Sequence, residues 1–326
     1  MDFELNVEQQ DLRDGFRRLL SDRCDHTTLR AAMSLPGAVD RALWAQLAET
    51  GVFSLRLPHD AGGLGAGMAE MVVVAEELGR AVVPGPVVAS SLLAPYVEGV
   101  ADGTVVVTAT YPGAGDQLVE HLDGVDLVAF VSPGAIRVVP PSELVAKAAS
   151  APLDPLTPVH LVQTAIDDGA SLVPPEEAAR LWLEGTLLSA ATQIGLAAAA
   201  LDLATGYAKQ RTQFGRPIGS FQAVKHLLAN ALAATEVARA GVHAAAVRSD
   251  ENAPDPELGR AVGAARILAS RAARRSTRAC IQVHGGMGYT WEIDAHLLLK
   301  RAMVLDTHFD SPAGARDRLL ASLSDA

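Results

Sequence analysis

Two short stretches of the sequence combine planar polar side chains with glycines, a combination suited to binding an anion. The first is RTQFGRPIGSFQAVKH at residues 211–226, which we call the arginine motif. Pro217 and Gly219 interrupt a long alanine-rich helical pattern, so a tight loop is expected. Arg211 and Gln213 provide donors there, and an arginine can bind a diphosphate through two parallel hydrogen bonds. The alternative is a plain helical hairpin with a solvated arginine.

The second stretch is QVHGGMGYT at residues 282–290, which we call the glutamine motif. It follows another long helical pattern. Because Gly285 and Gly286 have no side chains, a ligand can approach their backbone closely beside the amide of Gln282. We interpret His284 as a packing or hydrogen-bonding residue and not as a catalyst. This second motif favours a diphosphate-binding loop over a plain helical hairpin.

In order and separation, the two motifs resemble the paired C-terminal signatures of the acyl-CoA dehydrogenase family. In that family, the arginine loop reaches across a subunit boundary to the pyrophosphate of an FAD that the neighbouring subunit mainly holds. The resemblance extends, more loosely, over most of the chain. It implies FAD as the cofactor and six FAD-binding residues: Arg211, Gln213, Phe214, Gln282, Gly285 and Gly286.

The same resemblance implies that the family's catalytic base is missing here. Acyl-CoA dehydrogenases remove the α-proton of an acyl-CoA with a glutamate while the β-hydride leaves to the flavin. Counting without gaps, one branch of the family places this glutamate at Phe309 and another at Gly185, and neither residue accepts a proton. Asp310 and Glu184 stand one residue away, and one residue turns a helical side chain by about 100°. No catalytic residue is therefore expected in this chain.

The pattern of apolar residues predicts a mainly α protein with a small central β domain. The resemblance implies an acyl-CoA dehydrogenase fold with an N-terminal helical domain (1–102), a shortened β domain (103–173) and a C-terminal four-helix bundle (174–326). A capping box at Asn6 and Gln9 begins the first predicted helix, and residues 22–37 are expected to be irregular. Strands are predicted over 104–110, 127–131, 135–139 and 159–162. Bundle helices are predicted over 176–211, 220–248 with Ser220 as the N-cap, 256–284 and 293–308.

The β domain departs from the family pattern. In the family it covers the flavin ring with an acidic-Pro-x-x-Gly-Ser segment and a later tryptophan motif. Here residues 111–116 are the one remnant, and no tryptophan stands between Trp44 and Trp182. The resemblance therefore implies that the flavin-facing part of this domain is eroded.

Composition argues against several classes of function. A net charge of −11 disfavours nucleic-acid binding, because phosphate recognition needs a basic surface. Cys24 and Cys280 provide neither a disulfide framework nor a cysteine metal site, and the histidines lack ligand spacing, so no metal is expected. The sequence lacks a signal-peptide pattern and an apolar run that we judge long enough to span a membrane. We expect a cytoplasmic protein that binds no membrane.

One basic cluster remains, a run of five arginines on a single predicted helix. We interpret it as a solvated face or an inter-subunit face. Its members are Arg266, Arg271, Arg274, Arg275 and Arg278.

The chain resembles the shorter, base-lacking subunits of actinobacterial α2β2 acyl-CoA dehydrogenases that act on CoA thioesters of steroid side chains. This implies a longer partner chain that bears the glutamate, an acyl-CoA substrate that gains an α,β double bond, and an electron-transfer flavoprotein as acceptor. One alternative is a self-sufficient homo-oligomeric flavoenzyme that uses Asp310 or Glu184 as its base. Another is a non-catalytic subunit that serves only in assembly.

Overall fold

The computed structural model describes residues 4–111, 117–163 and 170–324. Along these residues, two three-stranded sheets separate an N-terminal from a C-terminal group of helices, which confirms the predicted fold class. The helices are α1 (Val7–Arg23), α2 (His26–Ala32), α3 (Arg41–Glu49), α4 (Met68–Arg80), α5 (Val87–Leu93), α6 (Pro175–Gln210), α7 (Gln222–Asp250), α8 (Asp255–His284), α9 (Ala295–Leu305) and α10 (Pro312–Ser324). The strands are β1 (Val107–Thr110), β2 (Gln117–Glu120), β3 (Leu127–Ser132), β4 (Ala135–Val139), β5 (Ala146–Ala148), β6 (Val159–Val162), β7 (Thr212–Gln213) and β8 (Arg216–Pro217).

Helix α1 begins after Asn6 with the capping box that the sequence predicts. The Asn6 Oδ1 atom accepts a hydrogen bond from the Gln9 backbone N–H at 2.8 Å, and Gln9 Oε1 accepts one from the Asn6 N–H at 3.2 Å. The expectation that residues 22–37 are irregular is wrong, because α2 lies within them. The Asp25 carboxylate caps α2 by accepting from the Thr28 N–H at 2.7 Å, which stabilises a helix of only seven residues.

The β region contains all four predicted strands, as β1, β3, β4 and β6. In one sheet β1 pairs parallel with β3, and β3 pairs antiparallel with β4. In the other sheet, the order is β2-β6-β5. The sequence does not predict β2 and β5, because these short edge strands are defined by pairing with β6 and not by an apolar pattern of their own. Of the remnant at 111–116, residues 112–116 lie outside the described residues.

The C-terminal half is organised around α6, a helix of 36 residues with a buried middle. The four predicted helices correspond to α6, α7, α8 and α9, with ends that differ by a few residues. Helix α10 is not predicted, because the apolar residues of its sequence PAGARDRLLASLS do not form a clear helical face. Ser220 does not cap α7, since it lies in a 3₁₀ turn and the helix begins at Gln222.

Helix α6 corrects the expectation that no apolar run could cross a membrane. Among the described residues, it is the one helix long and apolar enough to do so by length and composition. However, 78% of its most apolar window is buried inside the protein, as in a core helix. The packing is close at Gly195, where a Cβ would overlap the backbone carbonyl oxygen of Glu76 in α4.

A buried ion pair joins the β region to α9. The Arg301 Nε atom donates to the Asp154 carboxylate at 2.5 Å, and neither side chain is more than 9% exposed. Arg301 also donates to the Val83 carbonyl at 2.9 Å, and Asp154 accepts from the Thr157 hydroxyl at 2.9 Å. One pair of side chains therefore links three distant segments of the chain.

Candidate functional site

The arginine motif forms an exposed hairpin at the end of α6. Its turn is tight because Phe214 and Gly215 both have positive φ, at 51° and 75°. The Ile218 backbone N–H donates to the Arg211 carbonyl at 2.8 Å and closes the base of the hairpin. Every residue of 211–217 is exposed, and Phe214 reaches 91%. Gln213 donates its side-chain amide to the Thr212 carbonyl at 2.9 Å.

The glutamine motif is an open surface at the end of α8. Gln282, Gly285 and Gly286 are all exposed. Gly285 ends the helix with φ 62° and ψ −136°, a conformation that strongly favours glycine. A Cβ atom placed on Gly285 or Gly286 would meet nothing within 4 Å, so the backbone is accessible to a ligand.

Tyr207 brings the two motifs together. It lies one turn before Arg211, and its ring stacks on His284 with a centroid distance of 4.3 Å. Its hydroxyl donates to the Met287 sulfur at 3.6 Å. The His284 Nδ1–H donates to the Cys280 carbonyl at 2.7 Å, so this buried histidine has the packing and hydrogen-bonding contacts expected of it. Sequence reasoning does not single out Tyr207, because a tyrosine at the end of a helix carries no distinctive pattern.

The two positions where the family places its glutamates are in contact. A Cβ atom on Gly185 would overlap Cε1 of Phe309. The Phe309 ring is 5% exposed, and its centroid lies 4.5 Å from that of Tyr111 and 6.0 Å from that of Trp182. Apolar aromatic volume therefore fills the space that a carboxylate would need. The sequence alone does not show that Gly185 and Phe309 meet.

Both carboxylates one residue away from these positions are paired with arginines. Glu184 accepts from Arg56 at 2.7 and 3.0 Å and from Arg180 at 3.4 Å, and its side chain is 6% exposed. Asp310 is paired with Arg318. The guanidinium groups occupy the carboxylate oxygens that a general base would have to turn toward the substrate proton. This geometry disfavours both residues as bases.

A small cavity lies beside Tyr111 and His308, and the sequence does not predict it. Its volume is about 50 Å³, enough for a few water molecules at most and too small for an acyl chain. His308 and Glu120, both at its wall, are joined by a 2.9 Å hydrogen bond. Burial raises the pKa of Glu120, but His308 outweighs this and the net pKa is lowered. No spacing signal identifies the pair, because 188 residues separate its members.

Comparisons with known proteins identify relatives over most of this chain. The profile for the acyl-CoA dehydrogenase N-terminal domain matches residues 6–102, and that for the C-terminal domain matches residues 183–308. Acyl-CoA dehydrogenase IpdE2 of Mycobacterium tuberculosis is 33% identical over 332 residues, which cover 96% of each chain.

Solved structures share the fold at lower identity. A chain of the ChsE4-ChsE5 complex from Mycobacterium tuberculosis has a TM-score of 0.85 with 23% identity, over 100% of both chains. The steroid ACAD Tcur3481-Tcur3483 has a TM-score of 0.82 with 24% identity, over 98% of both chains. The two domain profiles and the full-length relative together establish that this chain belongs to the acyl-CoA dehydrogenase family.

Proposed function

We propose that this chain is the base-lacking subunit of a heteromeric, FAD-dependent acyl-CoA dehydrogenase. The enzyme introduces an α,β double bond into an acyl-CoA thioester, and a longer chain of the same family supplies the glutamate. One observation carries the proposal: the Phe309 ring packs directly on Gly185, so both glutamate positions of the family are occupied by one apolar contact. The paired state of Glu184 and Asp310 supports it.

The residues present fit the adenosine and pyrophosphate side of an FAD. Arg211 offers a guanidinium fork for the pyrophosphate, and the exposed Gln282 and Gly286 offer an amide and bare backbone for the adenosine. When bound, the FAD accepts the hydride that leaves the acyl β-carbon. This chain binds and orients one end of the cofactor, and the proton is taken by the partner's carboxylate. The exposure of both motifs is what a half-site completed by another chain requires.

We infer a CoA thioester of a steroid side chain as the substrate class and an electron-transfer flavoprotein as the acceptor. The subunit-type resemblance supports both, and one neighbour in fold is itself described as a steroid ACAD. Another neighbour in fold is a chain of a two-protein complex. We propose the cytoplasm as the location of the assembly.

The flavin content tests this proposal. Expressed alone, the chain is expected to be colourless, because it holds only one side of the cofactor. Co-expressed with the glutamate-bearing dehydrogenase chain of the same organism, it is expected to form a tetramer with about one FAD per two chains, since a shared site counts once. Absorbance of released flavin and quantitative amino-acid analysis give this ratio. A yellow homotetramer with one flavin per chain would contradict the proposal.

Arg211→Ala is expected to weaken FAD retention by the assembled enzyme about ten- to a hundredfold. The reason is the loss of a charge-assisted contact of about 1.5–3 kcal/mol with the pyrophosphate. Arg211→Lys is expected to restore only part, because an ammonium group cannot form two parallel hydrogen bonds. Arg216→Ala is the matched control, since Arg216 is exposed in the same hairpin and lies over the Phe221 ring at 4.2 Å. Equal FAD affinities for Arg211→Ala and the wild type, measured by equilibrium titration, would exclude the assigned role.

Glu184→Gln and Asp310→Asn are expected to leave turnover by the assembled enzyme within a few-fold of wild type. Both changes remove charge with little change in shape, and loss of a general base lowers a rate by about 10²–10⁴. Glu184→Gln is expected to lower the melting temperature, because Arg56 loses the carboxylate that accepts two of its hydrogen bonds. Turnover of each variant at saturating acyl-CoA tests for loss of a base, and thermal unfolding measures the change in melting temperature. A hundredfold fall with FAD and fold intact would make this chain catalytic.

A further inference from the structure

A stripe of arginines runs along the outer face of α8 to the glutamine motif. Arg271, Arg275 and Arg278 are spaced four and three residues apart, and Gln282 follows four residues later, so all four lie on one side of the helix. All four are exposed. Within the described part of the chain, the three arginines have no ion pair, whereas the adjacent Arg274 is bound to Asp306 at 2.7 Å. We call the three unpaired residues the arginine stripe.

Helix α7 supplies the opposite wall of a groove along the arginine stripe. This groove has a volume of about 780 Å³, and its α7 wall consists of small and apolar residues and Asn230, without a carboxylate. Val237 on this wall is 57% exposed. A cationic row beside an uncovered apolar wall is unusual for a solvated surface in a chain with a net charge of −11. The combination indicates a contact surface.

We propose that this groove docks the bundle helices of a different acyl-CoA dehydrogenase chain, one with carboxylates opposite the arginine stripe, and that the stripe disfavours pairing of this chain with itself. The inference rests on the proposed heteromeric function and goes beyond it, because it identifies the residues that select the partner. Charge complementarity between the arginine stripe and the carboxylates of the partner chain selects the partner. The apolar wall of α7 provides the surface that the partner helices bury.

A second copy of this chain fits the groove poorly. In a two-fold symmetric dimer, both subunits contribute the same surface patch to the interface. Each arginine stripe would then be buried against a copy of the same groove, which adds three more arginines and has no carboxylate on its α7 wall. Like charges brought together at an interface reduce affinity and are a common means of excluding a wrong partner. A chain with glutamates or aspartates at the matching positions removes this repulsion.

A small anion alone also does not account for the groove. From Arg271 to Arg278 the stripe extends about 10 Å along the helix, at about 1.5 Å per residue, which exceeds the length of a diphosphate. The α7 wall beside it includes Ala233 and Val237, and these apolar side chains would make no favourable contact with a free anion. Since Gln282 belongs to the glutamine motif, a partner helix over the stripe would also bring its own FAD to that motif.

The test uses a charge-reversed copy of this chain as the partner surrogate. The variant R271E/R275E/R278E keeps the apolar wall and presents carboxylates from the same fold. Neither the wild type nor the variant is expected to pair through this face when alone. An equimolar mixture is expected to form a complex with a Kd at least about tenfold lower than that of either chain with itself. The reason is that the mixture replaces the repulsion between like charges by attraction between arginines and glutamates at three positions. Sedimentation equilibrium at about 50 mM and about 500 mM NaCl measures these constants, and salt should weaken only the mixed complex.

Two further variants keep the result interpretable. R271Q/R275Q/R278Q removes the charge without reversing it, and is expected to increase self-association by an amount that does not depend on salt. R18E/R23E/R316E changes the net charge of the chain as much as the surrogate does, at exposed positions away from the groove, and is expected not to associate with the wild type. Circular dichroism confirms folding of each variant.

The outcomes separate this inference from the proposed function. If the mixture associates no more tightly than the separate chains, or if the control triple variant associates equally well, the arginine stripe does not select the partner. The flavin ratio of the heteromer would be unaffected by that result. If the mixture associates as expected but the heteromer holds one FAD per chain, the docking surface stands and the proposed function fails.

Discussion

Asp154→Ala is expected to lower the free energy of unfolding by about 3–5 kcal/mol, because it leaves a buried arginine without its counter-charge. Asp154 is fully buried, and the side chain of its partner Arg301 is 9% exposed. After the change, Arg301 keeps, among the described residues, the backbone carbonyl acceptors at Val83 and Leu156. Neither carbonyl carries a charge that could neutralise the buried guanidinium.

Urea unfolding followed by circular dichroism measures this effect. Asp202→Ala is the matched control, because Asp202 also pairs with an arginine, Arg80, but is 66% exposed, and it is expected to cost no more than about 1 kcal/mol. The double variant Asp154→Leu with Arg301→Met is expected to recover most of the loss, since it removes both buried charges. Similar costs for Asp154→Ala and Asp202→Ala would contradict the assigned role of the buried pair.

The sequence predicts well the elements whose determinants are local. The break after α6 follows from Pro217, which interrupts a helical pattern, and the start of α1 follows from the Asn6 capping box. The arginine and glutamine motifs are likewise recognisable from short windows. These signals need no knowledge of what packs against them, so α1, the four long bundle helices and the two exposed loops could be predicted in advance, whereas α2 and α10 could not.

Features that depend on distant contacts could not be predicted. Strands β2 and β5 exist because β6 pairs with both. The Glu120–His308 hydrogen bond joins residues 188 positions apart, and only the fold brings them together. The contact of Phe309 with Gly185 is of the same kind: counting along the chain identifies both residues, but not that one ring closes both positions.

Gly185→Ala is expected to destabilise the protein in one background and to stabilise it in another. In the wild type, the new Cβ would overlap the Phe309 ring, and overpacking of this kind costs about 1–3 kcal/mol. Phe309→Ala alone is expected to cost about 3–5 kcal/mol through the lost aromatic contacts. Once the ring is removed, Gly185→Ala is expected to stabilise α6 by about 0.5–1 kcal/mol, as alanine does over glycine in a helix.

The difference between the two effects of Gly185→Ala is therefore expected to appear as a coupling of about 1.5–4 kcal/mol in a double-mutant cycle. Gly206→Ala is the matched control in the same helix, because a Cβ there meets nothing within 4 Å, and it is expected to stabilise both backgrounds equally. Urea unfolding of the four cycle members and the two control variants gives all the required free energies. A coupling below about 0.5 kcal/mol would mean that the ring does not occupy the space over Gly185. The second glutamate position would then be open, and the absence of a base would have to be explained without the aromatic contact.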